Sequence, residues 1–172
     1  MNITTFAVTA GSVLLLSLPM AGQDKLSAAD KKFMTMAAGM NMTEANLGKM
    51  AEEHASGQAV KSFGETLTQD HSKAYGELLG VADSTHERVP RGIDIGKNSE
   101  FQQLSHMKGA SFDRQFLQQE IRDHEKVLVE FKREAEHGEN AGVKSYANQQ
   151  LPVIEKHLHD AQDLARSAKQ RS

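Results

Sequence analysis

The sequence predicts an all-α protein, an antiparallel four-helix bundle made of two helical hairpins. Four stretches place apolar residues at alternating spacings of three and four, which is the period of one helix face. Aromatic residues make up only 5% of the 172 residues and there are three prolines, whereas β-sandwiches are richer in turn residues and in β-branched or aromatic side chains. This length suits one domain with a sizeable core.

The first hairpin is predicted from two stripes with a short break between them. The first helix is expected at about residues 28–55, with Ser27 and Asp30 resembling an N-terminal cap. After the break at Ser56-Gly57, the second helix is expected at about residues 58–82. Because the break is short, the two helices should lie side by side. The stripes are Phe33, Ala37, Met40, Glu44, Leu47, Ala51 and His54, then Val60, Phe63, Leu67, His71 or Asp70, Ala74, Leu78 and Val81.

A long connection over residues 83–98 separates the hairpins, because periodicity is lost there and Pro90, Gly92 and Gly96 occur. At about 3.3 Å per residue such a segment can travel the length of the bundle, which permits the long crossover of a ferritin-like topology. The third helix is expected at about residues 99–137. The fourth is expected at about 141–168, with Pro152 producing a kink or a local opening.

Residues 1–22 are predicted to be a cleavable signal peptide, leaving residues 23–172 as one bundle domain. They carry no charged side chain, and the apolar run from Phe6 to Leu18 ends at Pro19. The run is too short to span a bilayer, which takes about 20 residues, so export to the periplasm or secretion is expected. The alternative is an apolar amino terminus that is disordered or docked on the bundle. No transmembrane segment is expected in the mature chain.

The net charge of -3 provides no basic field for nucleic acid. The absence of cysteine excludes disulfides, thiolate metal sites and a cysteine nucleophile, so any metal ligands must be nitrogen and oxygen atoms.

Polar residues interrupt the four stripes at matching heights. Glu44 precedes the first hairpin turn by about as many residues as His71 follows it, roughly 20 Å at 1.5 Å per residue. His124 and His157 flank the second turn and differ in height by about 4.5 Å. The sequence therefore predicts that Glu44, His71, His124 and His157 converge near the middle of the bundle.

Three imidazoles and one carboxylate match the ligands of a divalent metal ion, zinc first, with iron, manganese or copper as alternatives. The leading hypothesis is a non-catalytic protein that binds one such ion in a closed site. An alternative is an enzyme in which three residues bind the ion and Glu44 acts as base. The third hypothesis is a structural or interaction bundle with a buried Glu–His hydrogen-bond network and no metal. No catalytic residue is assigned, and protein partners are not predicted.

The di-iron pattern of ferritin-like proteins, Glu-x-x-His on two helices, is absent. The residues three positions before His71, His124 and His157 are Thr68, Ile121 and Ile154. At most one ion is therefore expected.

Other polar residues receive simpler interpretations. Asp113 lies about 16 Å along the helix from His124 and is expected to fix a buried hydrogen bond. Asp70 is expected either to support a histidine of another helix or to face solvent. Surface positions are expected for His54, Glu52, Glu53 and His86. Five methionines between Met34 and Met50 suggest soft ligands for copper(I), although flexible core filling explains them without metal.

An ordered set of residues over about 27–166 resembles the domain-of-unknown-function family 4142. That resemblance implies an exported bacterial protein with a ferritin-like four-helix bundle, of a kind often labelled outer membrane protein. It implies no reaction, since the family has none assigned. The set comprises Asp30-Lys-Lys-Phe33, Ala37-Ala38, Glu44, Met50-Ala51, Val60-Lys-Ser-Phe63, Asp70-His71, Phe112-Asp113, His124, Leu151-Pro152 and His157-Leu158.

Overall fold

Helices account for all the regular structure that the computed structural model describes, which covers residues 25–92 and 99–170. Four of them are long: α1 (Ala28–His54), α2 (Gln58–Ser84), α4 (Gly109–His137) and α5 (Ala141–Gln170). A short helix, α3 (Ser99–Ser105), precedes α4. The prediction of an all-α protein with four long helices is confirmed. The signal peptide predicted for residues 1–22 lies outside the described residues.

The cap predicted at the start of α1 is confirmed. The Asp30 amide N–H donates to Ser27 Oγ at 3.1 Å, and the Ser27 N–H donates back to Asp30 Oδ2 at 2.8 Å. This reciprocal arrangement satisfies two backbone donors that a helix start otherwise leaves without partners. Asp30 Oδ1 also accepts the Glu139 N–H at 3.1 Å, so the same carboxylate ties α1 to the turn between α4 and α5.

The single third helix predicted for residues 99–137 is wrong, because the structure divides it into α3 and α4. Residues 106–108 are not helical, and Gly109 has a φ of +67°, a left-handed conformation that L side chains rarely adopt. Residues 85–92 form the described part of the connection that follows α2. The Tyr75 O–H donates to the Pro90 carbonyl at 2.8 Å and holds this segment against α2. Residues 93–98 of the predicted connection lie outside the described residues.

Helices α1 and α2 pack along each other, as do α4 and α5, and the two pairs meet through α2 with α5 and α1 with α4. The α1–α2 pair is closest at Gly48 and Gly64. A Cβ added to Gly64 would lie 2.6 Å from the Gly48 carbonyl oxygen, so only glycine allows this approach. Pro152 does not interrupt α5, which is helical on both sides of it.

Two apolar clusters fill the core at different heights. The first contains Phe33, Leu78, Phe131, Tyr146 and neighbouring buried residues. The second contains Leu47, Phe63, Leu67, Phe112, Phe116 and Leu117, with their neighbours. On each long helix, a stretch of sequence separates the residues of the first cluster from those of the second. Buried polar residues lie in that stretch. None of the described helices is both long and apolar enough to cross a bilayer.

Candidate metal centre

A polar layer of buried residues lies between the two apolar clusters. All four long helices contribute to it, and its ionisable members are at most 4% exposed. A buried polar layer costs free energy unless its groups find partners, so the partners of each side chain decide what the layer can do. The layer consists of Asn41, Glu44, His71, Glu120, His124 and His157.

Three histidines from three helices meet in this layer. His71 of α2, His124 of α4 and His157 of α5 each place one ring nitrogen so that the three atoms lie within 4.8 Å of one another. Their ring centroids are 5.1–5.7 Å apart. The structure therefore brings together the three histidines that the sequence placed at matching heights.

Each of these imidazoles donates one N–H to an oxygen that can only accept. His71 Nδ1 is 2.9 Å from Asn41 Oδ1, and His124 Nδ1 is 2.9 Å from the carbonyl oxygen of Glu120, one turn earlier in α4. His157 Nε2 is 2.9 Å from Asp70 Oδ2. Because an amide, carbonyl or carboxylate oxygen has no proton to offer, the proton must reside on the histidine nitrogen in each pair.

The second nitrogen of each ring therefore carries a lone pair. These atoms are His71 Nε2, His124 Nε2 and His157 Nδ1, and none has a hydrogen-bond partner within the described residues. Burial, with the neighbouring imidazoles of His124 and His157, lowers the pKa of His71 well below its usual value. Burial and His157 lower the pKa of His124 to about 3. Burial also lowers the pKa of His157, although its bond to Asp70 opposes the shift. At neutral pH all three rings are neutral, the form that binds metal.

The geometry of the three imidazoles fits a metal ion after a small closure. Zinc binds imidazole nitrogen at about 2.0–2.1 Å, so a tetrahedral site holds its nitrogens about 3.3 Å apart. Nitrogens within 4.8 Å of one another would need to approach by at most about 1.5 Å. Small rotations about the χ1 and χ2 bonds of the three histidines can supply this movement. The oxygen acceptors behind the rings match the partners that usually orient metal-ligating histidines.

A second group adjoins the histidines through His124. Here Glu44 of α1 and Glu120 of α4 each place a carboxylate oxygen within 4.8 Å of the other and of a His124 nitrogen. Burial, followed by the nearby Glu44 carboxyl, raises the pKa of Glu120 well above its usual value. Two buried carboxyls that face each other need a shared proton or a cation between them.

Glu44 thus lies beside the three-histidine group and not within it.

The prediction that Asp113 fixes a buried hydrogen bond is confirmed, since it accepts the N–H and O–H of Ser56 and the N–H of Gly57 at 2.7–3.0 Å. The structure also shows that Asp70 supports a histidine of another helix. Glu52, Glu53 and His86 are exposed, as expected.

The surface position expected for His54 is wrong. Its ring is half-buried, with Nδ1 2.8 Å from the Met107 carbonyl oxygen and the ring edge against Phe112. The segment between α3 and α4, which the sequence prediction made helical, covers it. The five methionines of α1 are buried or half-buried, and Met36 and Met40 pack against the first apolar cluster.

Two residues of the layer escaped the sequence prediction. Glu120 lies four positions before His124 and so shares its helix face, whereas the di-iron motif places its carboxylate three positions before the histidine. Asn41 is a polar residue one turn before Glu44 on the buried side of α1. It accepts from His71 and donates its amide N–H to Tyr146 Oη at 2.9 Å. Helix periodicity was the available signal for both residues.

Comparisons with known proteins place the chain by family and fold. Residues 15–164 match the family model described as Domain of unknown function (DUF4142). No curated protein matches the chain. The fold is similar to the crystal structure of a DUF305 fragment from Deinococcus radiodurans, with a TM-score of 0.72 over 82% of this chain and 98% of that one. The two share 14% sequence identity, so the likeness concerns the fold alone.

Proposed function

The chain belongs to the family described as domain of unknown function (DUF4142), and within that fold we propose that it binds one divalent metal ion through His71, His124 and His157. The observation that carries this proposal is the set of three neutral imidazoles, each with one nitrogen fixed by an oxygen acceptor and the other without a partner. Glu44, the fourth ligand expected from the sequence, lies beside the trio next to His124 and is the proposed fourth donor.

The arrangement argues against a purely structural polar network. In such a network buried nitrogens are hydrogen-bonded, because leaving one without a partner costs about 1–3 kcal/mol. Here three nitrogens in one layer lack partners in the described chain. A bound metal ion would give each of these nitrogen lone pairs a partner.

Zinc is the first choice of ion, because neutral imidazoles suit it and it accepts a small closed site. Iron, manganese and copper accept the same donors. We propose a binding role without catalysis, because the three histidines are at most 3% exposed, and a catalytic ion needs an open position that substrate can reach.

A ferritin-like, antiparallel arrangement of the four helices is part of the proposal. Its support is the order of contacts along the first pair. Lys31 of α1 pairs with Glu87 after α2 at 2.6 Å, Asn41 contacts His71, and Gly48 approaches Gly64. As the residue number increases along α1, the number of the contacting residue on the α2 side decreases, as expected for an antiparallel pair. Three-residue turns join both pairs of helices.

We also propose that the chain is exported by way of residues 1–22 and binds its ion in the periplasm or outside the cell. The support is the 13-residue apolar run from Phe6 to Leu18 and the uncharged residues around it. Amino-terminal sequencing of protein recovered from the periplasm and medium tests this, with a start near residue 23 as the expected result.

The metal proposal is tested by metal analysis of the purified protein after chelation and reconstitution with zinc, iron, manganese and copper in turn. We expect one ion per chain, with zinc held most tightly. His157→Ala and His124→Ala should each weaken binding by more than the roughly 10–100-fold that loss of an outer hydrogen-bond partner costs.

His159→Ala is the matched control, because His159 lies on the same helix two residues from His157 and its side chain is 69% exposed. It should bind like the natural chain, and circular dichroism should show that all variants keep their helices. The proposal fails if the natural chain retains no stoichiometric metal, or if the two core variants bind as tightly as the control.

A further inference from the structure

Two buried carboxylates lie beside the three histidines, and the three-histidine site needs at most one of them as a ligand. Glu44 is 4% exposed and Glu120 is fully buried. They come from different helices, α1 and α4, and each places an oxygen within 4.8 Å of the other and of a His124 nitrogen. One fourth ligand accounts for at most one of these two carboxylates.

Glu120 is also aimed into this group, where its carboxyl interacts with the Glu44 carboxyl through a hydrogen bond. Neither of its carboxylate oxygens accepts a hydrogen bond from an N–H or hydroxyl group of the described chain. His124 Nδ1 is 3.5 Å from Glu120 Oε2, and its proton points to the Glu120 backbone carbonyl.

Asp113 provides a comparison within the same molecule. Its side chain is 8% exposed, and it accepts three hydrogen bonds from Ser56 and Gly57 at the turn between α1 and α2. That carboxylate is built for a structural role, because its charge is compensated by donors. Glu120 is more deeply buried, and its carboxyl faces the Glu44 carboxyl instead of such donors, so the pair requires a shared proton or a cation.

We propose that Glu44 and Glu120, which lie beside His124, form a second cation position next to the three-histidine position. This inference rests on the proposed function, because His124 belongs to both groups. Carboxylate oxygens are hard ligands that suit Mn²⁺ or Fe²⁺, whereas the nitrogen-rich position suits zinc. His124 has one lone pair, which the three-histidine position uses, so the two carboxylates are the ligands of the second ion.

A second position changes the expectation of at most one ion. That expectation depended on the missing carboxylate three residues before each histidine. Glu120 lies four residues before His124, which still places both side chains on one face of α4. Two-ion sites in proteins hold their metals about 3.5–4 Å apart, a separation compatible with two adjoining groups that share one residue.

The test loads the protein with zinc, removes the excess, and then titrates it with Mn²⁺ while total metal and manganese paramagnetic resonance are measured. The natural chain should retain one zinc and take up one Mn²⁺ per chain. Glu120→Gln should retain the zinc and bind Mn²⁺ at least about 100-fold more weakly, the upper end of what loss of an outer-shell partner costs. Glu44→Gln should weaken binding of both ions, because Glu44 is also the proposed fourth donor to the first ion. Both substitutions preserve side-chain shape and remove a buried charge, so the fold is expected to persist.

Glu134→Gln is the matched control. Glu134 is on the same helix, is also 4% exposed and lies outside both groups, so this variant should bind both ions normally. The inference is overturned if zinc-loaded natural protein takes up no Mn²⁺, or if the two test variants bind it like the control. It is also overturned if Glu120→Gln lowers zinc affinity while the ion count stays at one, since Glu120 would then ligate the first ion. A different result is that no zinc binds, while Mn²⁺ binds to the natural chain and not to Glu120→Gln. That result would refute the three-histidine proposal and support the carboxylate position.

Discussion

Each core histidine is oriented by a different kind of oxygen. Asn41 holds His71 through its amide, the α4 backbone holds His124, and Asp70 holds His157 through a carboxylate. The Asn41 amide is itself fixed by Tyr146, which closes a chain of hydrogen bonds from α5 through α1 to α2. Such partners set both the tautomer and the direction of the lone pair before any ion arrives. The three lone pairs therefore point in fixed directions, as the proposed metal site requires.

A second buried acidic pair, Asp30 and Glu134, should make stability depend on pH. Burial, followed by the adjacent Asp30, raises the pKa of Glu134 from 4.5 to about 7. Burial raises the pKa of Asp30, but hydrogen bonds from Ser27 and Glu139 outweigh it and lower the pKa. Because the folded pKa of Glu134 exceeds its unfolded value, its contribution is fully present below pH 4.5 and is lost as pH rises through 7.

Glu134→Gln should remove this dependence, since the amide resembles the protonated acid at every pH. We expect the unfolding free energy of the natural chain, relative to Glu134→Gln, to fall by on the order of 3 kcal/mol between pH 4.5 and 8. Urea unfolding of both proteins across that range measures it. The buried neutral histidines make the unfolding free energy rise with pH, which is the opposite trend. Both proteins contain these histidines, so the difference between the proteins does not include their effect. A constant difference between the two proteins would refute the shifted pKa of Glu134.

At the scale of elements, the α1–α2 pair depends on glycine where the helices are closest. A Cβ on Gly64 would lie 2.6 Å from the Gly48 carbonyl oxygen and 2.7 Å from the Ala51 Cβ. Contacts this short force backbone movement, because a carbonyl and a Cβ cannot rotate away. Gly64→Ala should therefore destabilise the fold by about 1–3 kcal/mol and shift the polar residues on α1 relative to α2.

Gly76→Ala provides the control for that prediction. Gly76 is exposed on the same helix, and a Cβ there would meet nothing within 4 Å. Alanine should stabilise this position by about 0.5–1 kcal/mol, because it restricts the unfolded chain and favours the helix. Thermal unfolding of the two variants should move in opposite directions. Equal shifts would show that the close approach of α1 and α2 carries no packing constraint.

At the scale of the whole molecule, the polar layer joins residues from all four long helices between two apolar clusters. An ion held there binds the folded chain and not the unfolded one. Free zinc at 100 times its dissociation constant would then add about 2.7 kcal/mol of stability. For a chain of this size that corresponds to a rise in melting temperature of about 5–10 °C.

Differential scanning calorimetry of the chelated protein with and without zinc measures this rise. His71→Ala should show little of it, because the variant lacks one of the three nitrogens, and Mg²⁺ should have no comparable effect on the natural chain because it disfavours imidazole. An equal rise with zinc in His71→Ala would place the ion elsewhere on the molecule.

Much of the fold follows from local pattern. Apolar periodicity predicted the ends of α1 within one residue and those of α5 within two, and Ser27 with Asp30 marked the start of α1 correctly. The break before Gly109 was missed because residues 99–108 still contain apolar residues at helical spacing. Gly109 adopts a left-handed conformation, but a single glycine inside a helical pattern does not by itself mark a break.

The sequence by itself determined four amphipathic helices and the heights of three histidines, because helix rise and period depend only on spacing along the chain. Tertiary structure alone decided which atoms meet. Rotation of α4 brought Glu120 against Glu44, and the packing of α1 placed Asn41 behind His71. Such contacts depend on the rotation and separation of neighbouring helices, which arise from the packing of all their side chains together.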